Sequence, residues 1–345
     1  MIDFRYHLVS LVSVFIALAI GVVLGAGPLQ GSIGDTLTGQ VQSLRDDKDA
    51  LQQAVDNRDA ALAQREEAIG SLGAPVTAGT LDGRSVAVIS LPGAVLADVE
   101  ALTTQLTDAG AAIATTVEVQ PGWSDPDRGT DRGALGAQLV QYLDPRPEPE
   151  SGAAGQLGAL LGRALLSTGR GGVERDADGQ TVLDALVEAE LVTVQEDTAT
   201  RADTAVVVVG SPDDAAGADD EQWAANEATT ALALALAADE ASDGAVVAGP
   251  PTAAGDGGTI DALRADADVS AAVSSVDVLD ARMGRLGVVL ALLEQLDGGV
   301  GQYGVGPGAS GVLPPVPERD DSPGSSAPET TGNGTDGAGT TGSDG

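Results

Sequence analysis

The stretch "SVAVISLPG", residues 85–93, decides the fold class of this chain. A short continuous run of mostly β-branched and small residues ends at a Pro-Gly turn. This pattern is typical of a strand that is buried on both faces. Such strands occur mainly in parallel sheets that are covered by helices on both sides. The flanking sequence should therefore alternate between helix and strand patterns.

The chain after this run shows that alternation. Residues 94–109 place Val95, Val99, Leu102 and Leu106 on one helical face, and "AIATTVEV" (112–119) reads as a second strand. Later strands are predicted at 204–210 and 244–249, and later helices at 155–167, 181–189, 219–238, 259–267 and 285–296. Residues 120–150, rich in Pro, Gly and Asp, are predicted to form a long loop or lid. The pattern predicts a Rossmann-like α/β domain with a mostly parallel sheet. We call this domain, residues 83–313, the head.

A heptad pattern precedes the head at residues 34–73, which we call the stalk. Apolar residues recur at alternating spacings of four and three, so eight of eleven a and d positions are apolar. This predicts a coiled coil, and β-branched residues at a with Leu at d favour a parallel homodimer. A single amphipathic helix packed on its own head is the alternative. We call the following residues the seam: Leu37, Val41, Leu44, Lys48, Leu51, Val55, Leu62, Ile69 and Leu72. Arg58 and Arg65 occupy the two remaining d positions.

An apolar run at residues 8–27 precedes the stalk and contains no charge. As a helix, its 20 residues span about 30 Å, the hydrocarbon thickness of a bilayer. At the exit of the run, residues 24–28, a clean Ala-x-Ala cleavage site is missing, which favours an uncleaved membrane anchor over a cleaved signal or a buried helix. Arg5 precedes the run, so residues 1–7 are expected in the cytoplasm and the rest outside. The predicted anchor residues are Leu8, Leu11, Phe15, Leu18, Ile20, Val23 and Leu24.

Composition limits the classes of partner and compartment. The chain has 17 basic and 52 acidic residues, a net charge of −35. This argues against nucleic acid and against peripheral docking on anionic lipid, since both require basic surface. With no cysteine, disulfides and thiolate chemistry are excluded. Residues 314–345, rich in Pro, Gly, Ser, Thr and acid, are predicted to be a disordered tail.

Motifs that would carry chemistry are weak. The Gly-rich stretch at 299–308 has no predicted strand before it and no clear helix after it, and a dinucleotide fingerprint requires both. The only lysine, Lys48, lies in the stalk, so a P-loop is missing. The only histidine, His7, lies at the edge of the apolar run, so no Ser-His pair can form in the head. We therefore expect no catalytic residue and no bound cofactor.

Metal ligands are equally sparse. Copper sites use Cys, Met and His, but the head contains only Met283 from this set. The carboxylate pairs Asp213-Asp214 and Asp219-Asp220 are interpreted as solvated loop charge, with an enzyme using two carboxylates as the alternative. We expect no dedicated metal site, although carboxylates could bind hard cations weakly.

Two stretches resemble a known family. They are "FRYHLVSLVSVFIALAIGVVLGAGPL" (4–29), with its Leu-Ala-Ile-Gly-Val-Val-Leu-Gly core, and "GRLGVVLALLEQLDGGVGQYGVGPGA" (284–309). Both are similar to segments of the actinobacterial MctB-like copper transporter family, whose Gly-Gln-Tyr-Gly motif matches Gly301, Gln302, Tyr303 and Gly304. The resemblance implies copper efflux or homeostasis and a channel-forming role in the outer envelope. Relatives of the corynebacterial SteB type imply a role in cell separation beside a cytoplasmic-membrane partner.

The two lines of reasoning combine into one hypothesis. We expect a single-pass cell-membrane protein with a cytoplasmic N-terminus, a dimeric stalk, an extracytoplasmic head and a disordered tail. It should act as a non-enzymatic scaffold or binding module for an envelope or cytoplasmic-membrane protein. The alternative is a copper transport component or channel-forming subunit. One apolar helix per chain forms no pore by itself, which argues against this alternative.

Overall fold

The structure is a computed structural model that describes residues 4–26, 29–146, 152–212 and 221–316. The predicted disordered tail lies outside the described residues from 317 onward. The carboxylate pairs Asp213-Asp214 and Asp219-Asp220 also lie outside them.

Two long helices precede the head. Helix α1 (Phe4–Ala26) contains a span, Phe4–Gly25, that is long and apolar enough to cross a membrane. No part of that span is buried against the rest of the described chain, so the alternative of a buried core helix does not hold. Helix α2 (Leu29–Thr77) includes the whole stalk and extends four residues beyond it, to Thr77.

The head contains nine strands and eight α-helices among the described residues, besides short 3-10 turns. The strands are β1 (Ser85–Ser90), β2 (Ala112–Val119), β3 (Val173–Glu174), β4 (Val192–Asp197), β5 (Thr200–Arg201), β6 (Thr204–Val208), β7 (Ala245–Ala248), β8 (Ser274–Val276) and β9 (Gln302–Tyr303). The helices are α3 (Leu96–Asp108), α4 (Gly129–Leu139), α5 (Gly152–Leu165), α6 (Ala177–Glu188), α7 (Glu221–Glu240), α8 (Thr259–Ala265), α9 (Ala267–Ala272) and α10 (Arg282–Leu296).

Seven strands form the main sheet in the order β4-β2-β1-β6-β7-β8-β9. All neighbours in this sheet pair in parallel except β4, which runs antiparallel to β2. The predicted mostly parallel sheet is therefore confirmed. If only the parallel strands are numbered, their order in the sheet is 2-1-3-4-5-6. This is the doubly wound order 2-1-3-4-5 with a sixth strand added, and it differs from the 3-2-1-4-5-6 order of dinucleotide-binding domains. The direction of winding reverses between β1 and β6, which defines a switch point there.

The sheet is covered on both faces, as the opening stretch predicts. All six residues of β1 are buried. Val86 and Val88 face a layer that includes α3 and α10, whereas Ala87 and Ile89 face the layer that includes α5, α6 and α7. Alternating side chains of one strand thus join two separate cores. Since the chain has no cysteine, these two cores stabilise the head without disulfides.

The prediction of a long loop at residues 120–150 is wrong, because part of that stretch forms α4. This helix contains three glycines, which lower its intrinsic propensity. Gly136 allows a close approach to Gln156 of α5, and Leu139 is buried in the core. Arg132 of α4 donates to the carbonyl oxygen of Gly122. Tertiary contacts therefore stabilise α4, although its local helix propensity is low.

Candidate functional site

The seam lies on a face of α2 that contacts nothing else in the described chain along most of its length. Leu44, Leu51 and Leu72 are 67%, 68% and 74% exposed, and Leu37, Val41, Val55 and Leu62 are exposed as well. Lys48 is also exposed. A row of apolar side chains on one helix face is costly to leave in water. This face is therefore the strongest candidate for a functional surface.

Only the last turns of α2 pack on the head. Glu66 Oε2 accepts a hydrogen bond of 2.8 Å from the backbone N–H of Arg282, the first residue of α10. Gly73 contacts Leu286, and Thr77 is buried. The alternative of a helix packed on its own head is thus correct for residues 66–77, but not for residues 37–62. Of the seam, Ile69 lies half-buried beside this contact.

The docked face is distinct from the seam. Glu66 and Gly73 occupy e positions of the heptad, and Gly70 and Thr77 occupy b positions. The e positions flank the a positions on the helix surface, and the b positions lie next to them on the outward side. Leu72, at a d position, stays exposed next to the docked turns. Packing on the head therefore leaves the seam accessible except at Ile69, which is half-buried.

The four residues of the Gly-Gln-Tyr-Gly motif complete the edge of the sheet. Gln302 and Tyr303 form β9, and Gln302 Nε2 donates to the carbonyl oxygens of Ser270 and Val273. The Tyr303 hydroxyl donates to Glu294 at 2.6 Å, and burial together with Glu294 raises the pKa of Tyr303. A Cβ at Gly301 would overlap the Tyr303 ring. These contacts give the motif a structural role within the head.

Gly304 belongs to a buried charged cluster that the sequence did not reveal. Asp277 is fully buried and accepts hydrogen bonds from the N–H groups of Val305 (2.7 Å) and Gly306 (3.0 Å). It also forms a 2.7 Å ion pair with Arg264, whose side chain is 4% exposed. Gly304 has φ +131°, and a Cβ there would overlap Asp277 Oδ1. Glycine is therefore required at this position.

The switch point between β1 and β6 is where open α/β sheets usually bind ligands. Here the two loops touch, since a Cβ at Gly210 would overlap the carbonyl oxygen of Gly93. The remaining cavity measures about 30 Å³, room for about two water molecules. As described, these loops leave no space for a nucleotide.

A single carboxylate lines this small cavity. Glu227 of α7 is half-buried there, and its Oε2 is buried without a hydrogen-bond partner among the described residues. Burial raises the pKa of Glu227 to about 7. Sequence reasoning missed Glu227, because nothing in a run of alanines and threonines marks one glutamate as buried.

Potential metal ligands remain dispersed. Over the described ranges, no three His, Cys, Asp or Glu side chains form a group that could hold a metal ion. Met283 lies in the first turn of α10, partly buried against the core. His7 lies in α1, remote in sequence from the head. The donors that copper prefers are thus not gathered in this part of the chain.

Comparison with known proteins agrees with the two matching stretches. Residues 1–314 match the family described as "Copper transport outer membrane protein, MctB". The chain is 32% identical over 327 residues to the copper transporter MctB of Mycobacterium tuberculosis, covering 90% of this chain and 99% of that protein. It is also 32% identical over 339 residues to copper transporter MctB of Mycobacterium leprae, covering 91% of this chain and all of that protein. The chain belongs to the MctB copper transport family.

Proposed function

We propose that this protein is a single-pass membrane protein whose stalk dimerises and holds two heads outside the membrane, as a scaffold for an envelope or cytoplasmic-membrane partner in copper homeostasis. The exposed seam of α2 carries this proposal. An isolated helix is only marginally stable in water. A helix with an apolar stripe is stabilised mainly by burying that stripe against another surface. A second copy of the same helix buries the stripe completely.

The fold also defines which edge of the head lies on the stalk side. α10 begins at the carboxyl edge of the sheet, where Glu66 contacts Arg282, and β1 begins at the opposite edge, just after Thr77. Helix α2 therefore runs across the head from the carboxyl edge to the amino edge. Its 37 residues before Glu66 extend about 55 Å. A membrane-bound partner would meet the loops at the carboxyl edge first.

Direct copper transport is the second candidate, and the family description favours it. In this candidate, several copies would assemble, because a single apolar helix encloses no pore. The ligand chemistry favours the scaffold instead. Cu(I) prefers thiolate and thioether, and Cu(II) prefers imidazole, yet the chain past residue 7 contains only Met283 from these classes. An effect on copper tolerance would then act through a partner or through the envelope.

The absence of cysteine permits a direct test of the dimer. Leu44→Cys places a single thiol at a d position, where two parallel helices face each other in register. We expect a disulfide-linked dimer when native membranes are mildly oxidised. Asp46→Cys, two residues later and pointing outward, is the matched control and should remain monomeric. Equal crosslinking of both variants, or of neither, would contradict the proposal.

The same strategy tests the topology. A thiol at Gln53 should react with a membrane-impermeant maleimide added to intact cells, because the stalk is proposed to lie outside. A thiol at Ile2 should react only after the membrane is opened. Labelling of both positions from outside would refute the single-pass orientation.

A further inference from the structure

Three basic residues interrupt the apolar seam, and none forms an ion pair with another described residue of its own chain. Lys48, Arg58 and Arg65 occupy a, d and d positions and are exposed. The ion pairs among the described residues include none of them. Acidic residues three or four positions away would stabilise such charges on one helix. The sequence places no acid at those spacings from any of the three.

Each basic residue instead has an acid immediately beside it. Asp47 precedes Lys48 at a g position, Asp59 follows Arg58 at an e position, and Glu66 follows Arg65 at an e position. These are the only acidic residues at e and g positions between residues 37 and 73. The other stalk acids occupy the outward b and f positions. Adjacent residues on one helix do not face each other, so these acids cannot serve their own neighbours well.

In a parallel, in-register dimer, the geometry places these charges together. A residue at a inserts into a hole that includes the partner's g residue just before it, and a residue at d inserts into a hole that includes the partner's e residue just after it. The acid missing within one chain is thus supplied by the second copy at all three levels. An antiparallel pair or a slipped register would lose this match.

From this complementarity we infer that Lys48–Asp47, Arg58–Asp59 and Arg65–Glu66 are ion pairs between two copies of this chain, and that they select the parallel, in-register stalk. The inference rests on the proposed dimer and adds its partner contacts and its direction. The third pair, Arg65–Glu66, also links the stalk to the head. Glu66 Oε2 already accepts the N–H of Arg282, so the same carboxylate connects the partner's stalk to the start of α10.

Charge reversal with restoration tests the inference in the full chain in detergent. The Kd of the dimer is measured by fluorescence energy transfer between chains labelled at Gln53→Cys, an outward f position of the heptad. Asp59→Arg turns two attractive contacts into repulsion and should weaken the dimer about 10-fold, since each exposed pair contributes up to about 1 kcal/mol. The swapped variant Arg58→Glu with Asp59→Arg rebuilds both contacts and should return the Kd to within about threefold of wild type.

Asp56→Arg is the matched control, because it makes the same charge change at an outward b position. It should change the Kd by less than about threefold. If the swapped variant stays as weak as Asp59→Arg, or if Asp56→Arg weakens the dimer equally, the inference is overturned while the dimer stands. If no energy transfer occurs in the parent protein, the proposed dimer itself fails.

Discussion

Replacing Asp277 with asparagine should destabilise the head by about 3 kcal/mol, because it breaks a buried ion pair. The side chain of Asp277 is fully buried, and that of its partner Arg264 is 4% exposed. Arg264 Nη1 lies 2.7 Å from Asp277 Oδ2. Removing one member of a buried pair costs about 3–5 kcal/mol, since the other charge remains unpaired. The lower end applies here, because Arg264 also donates to the carbonyl oxygens of Tyr303 and Pro307.

The replacement also disturbs two backbone donors. The N–H groups of Val305 and Gly306 both donate to the Asp277 carboxylate. Asparagine offers one acceptor oxygen and turns an amide N–H₂ toward other donors. A buried donor without a partner costs about 1–3 kcal/mol. This cost is included in the total destabilisation of about 3 kcal/mol expected for Asp277→Asn.

Urea unfolding of the full chain in detergent, followed by tryptophan fluorescence, measures the effect. Trp123 is 1% exposed and reports on the core. With a slope of about 3 kcal/mol per molar urea, the midpoint should fall by about 1 M. Asp176→Asn is the matched control, because Asp176 pairs with Arg163 at the surface and asparagine retains its helix-capping role. The control should lose less than about 1 kcal/mol.

A loss below about 1 kcal/mol for Asp277→Asn would refute the reasoning, because an unpaired buried arginine cannot be that inexpensive. Gly304→Ala supplies a second reading of the same cluster, since its Cβ would overlap Asp277 and its φ of +131° strains any other residue. If Gly304→Ala leaves the free energy of unfolding unchanged, Gly304 of the motif is not needed for the packing around Asp277.

Three further predictions address copper, pH and the N-terminus. The full chain in detergent should bind copper in either oxidation state only weakly, with no preference that survives millimolar calcium; a stoichiometric submicromolar site by calorimetry would favour the transport candidate. The raised pKa of Glu227, about 7 against 4.5, means that the folded head keeps a proton that the unfolded chain has lost, so the stability of the head falls as pH rises through that window. In the Glu227→Gln variant, the decrease in the free energy of unfolding over this pH window should be smaller by roughly 1 kcal/mol, after allowance for the partial exposure of Glu227. An unchanged pH dependence in urea unfolding would contradict the burial argument. Mass spectrometry of the membrane-extracted protein should find the apolar run intact, and a mature N-terminus at residues 26–29 would show a cleaved signal.

The sequence by itself determined the features that depend on local periodicity. The amphipathic helices and the heptad pattern of the stalk repeat at 3.6 or 3.5 residues, whereas the buried strands β1 and β6 and the membrane-length helix are continuous apolar runs recognised by their length. A pattern of this kind is visible in a single window of sequence. The proposed charge pairs beside the seam also rest on local sequence, because the heptad register predicts which residues would meet across two parallel helices.

Only the tertiary structure decided what depends on contacts between distant residues. α4 forms because Gly136 and Leu139 find partners elsewhere in the head, despite a glycine-rich sequence. The antiparallel edge strand β4, the two-residue strand β9 and the closed switch point carry no periodic signal, since each is defined by its neighbour in space. The Asp277–Arg264 pair and the Glu66–Arg282 contact join residues 13 and 216 positions apart. Burial of a charge or a glycine is a property of the packed chain, so the roles of Gly304 and Glu227 appear only when the sheet and its helices are assembled.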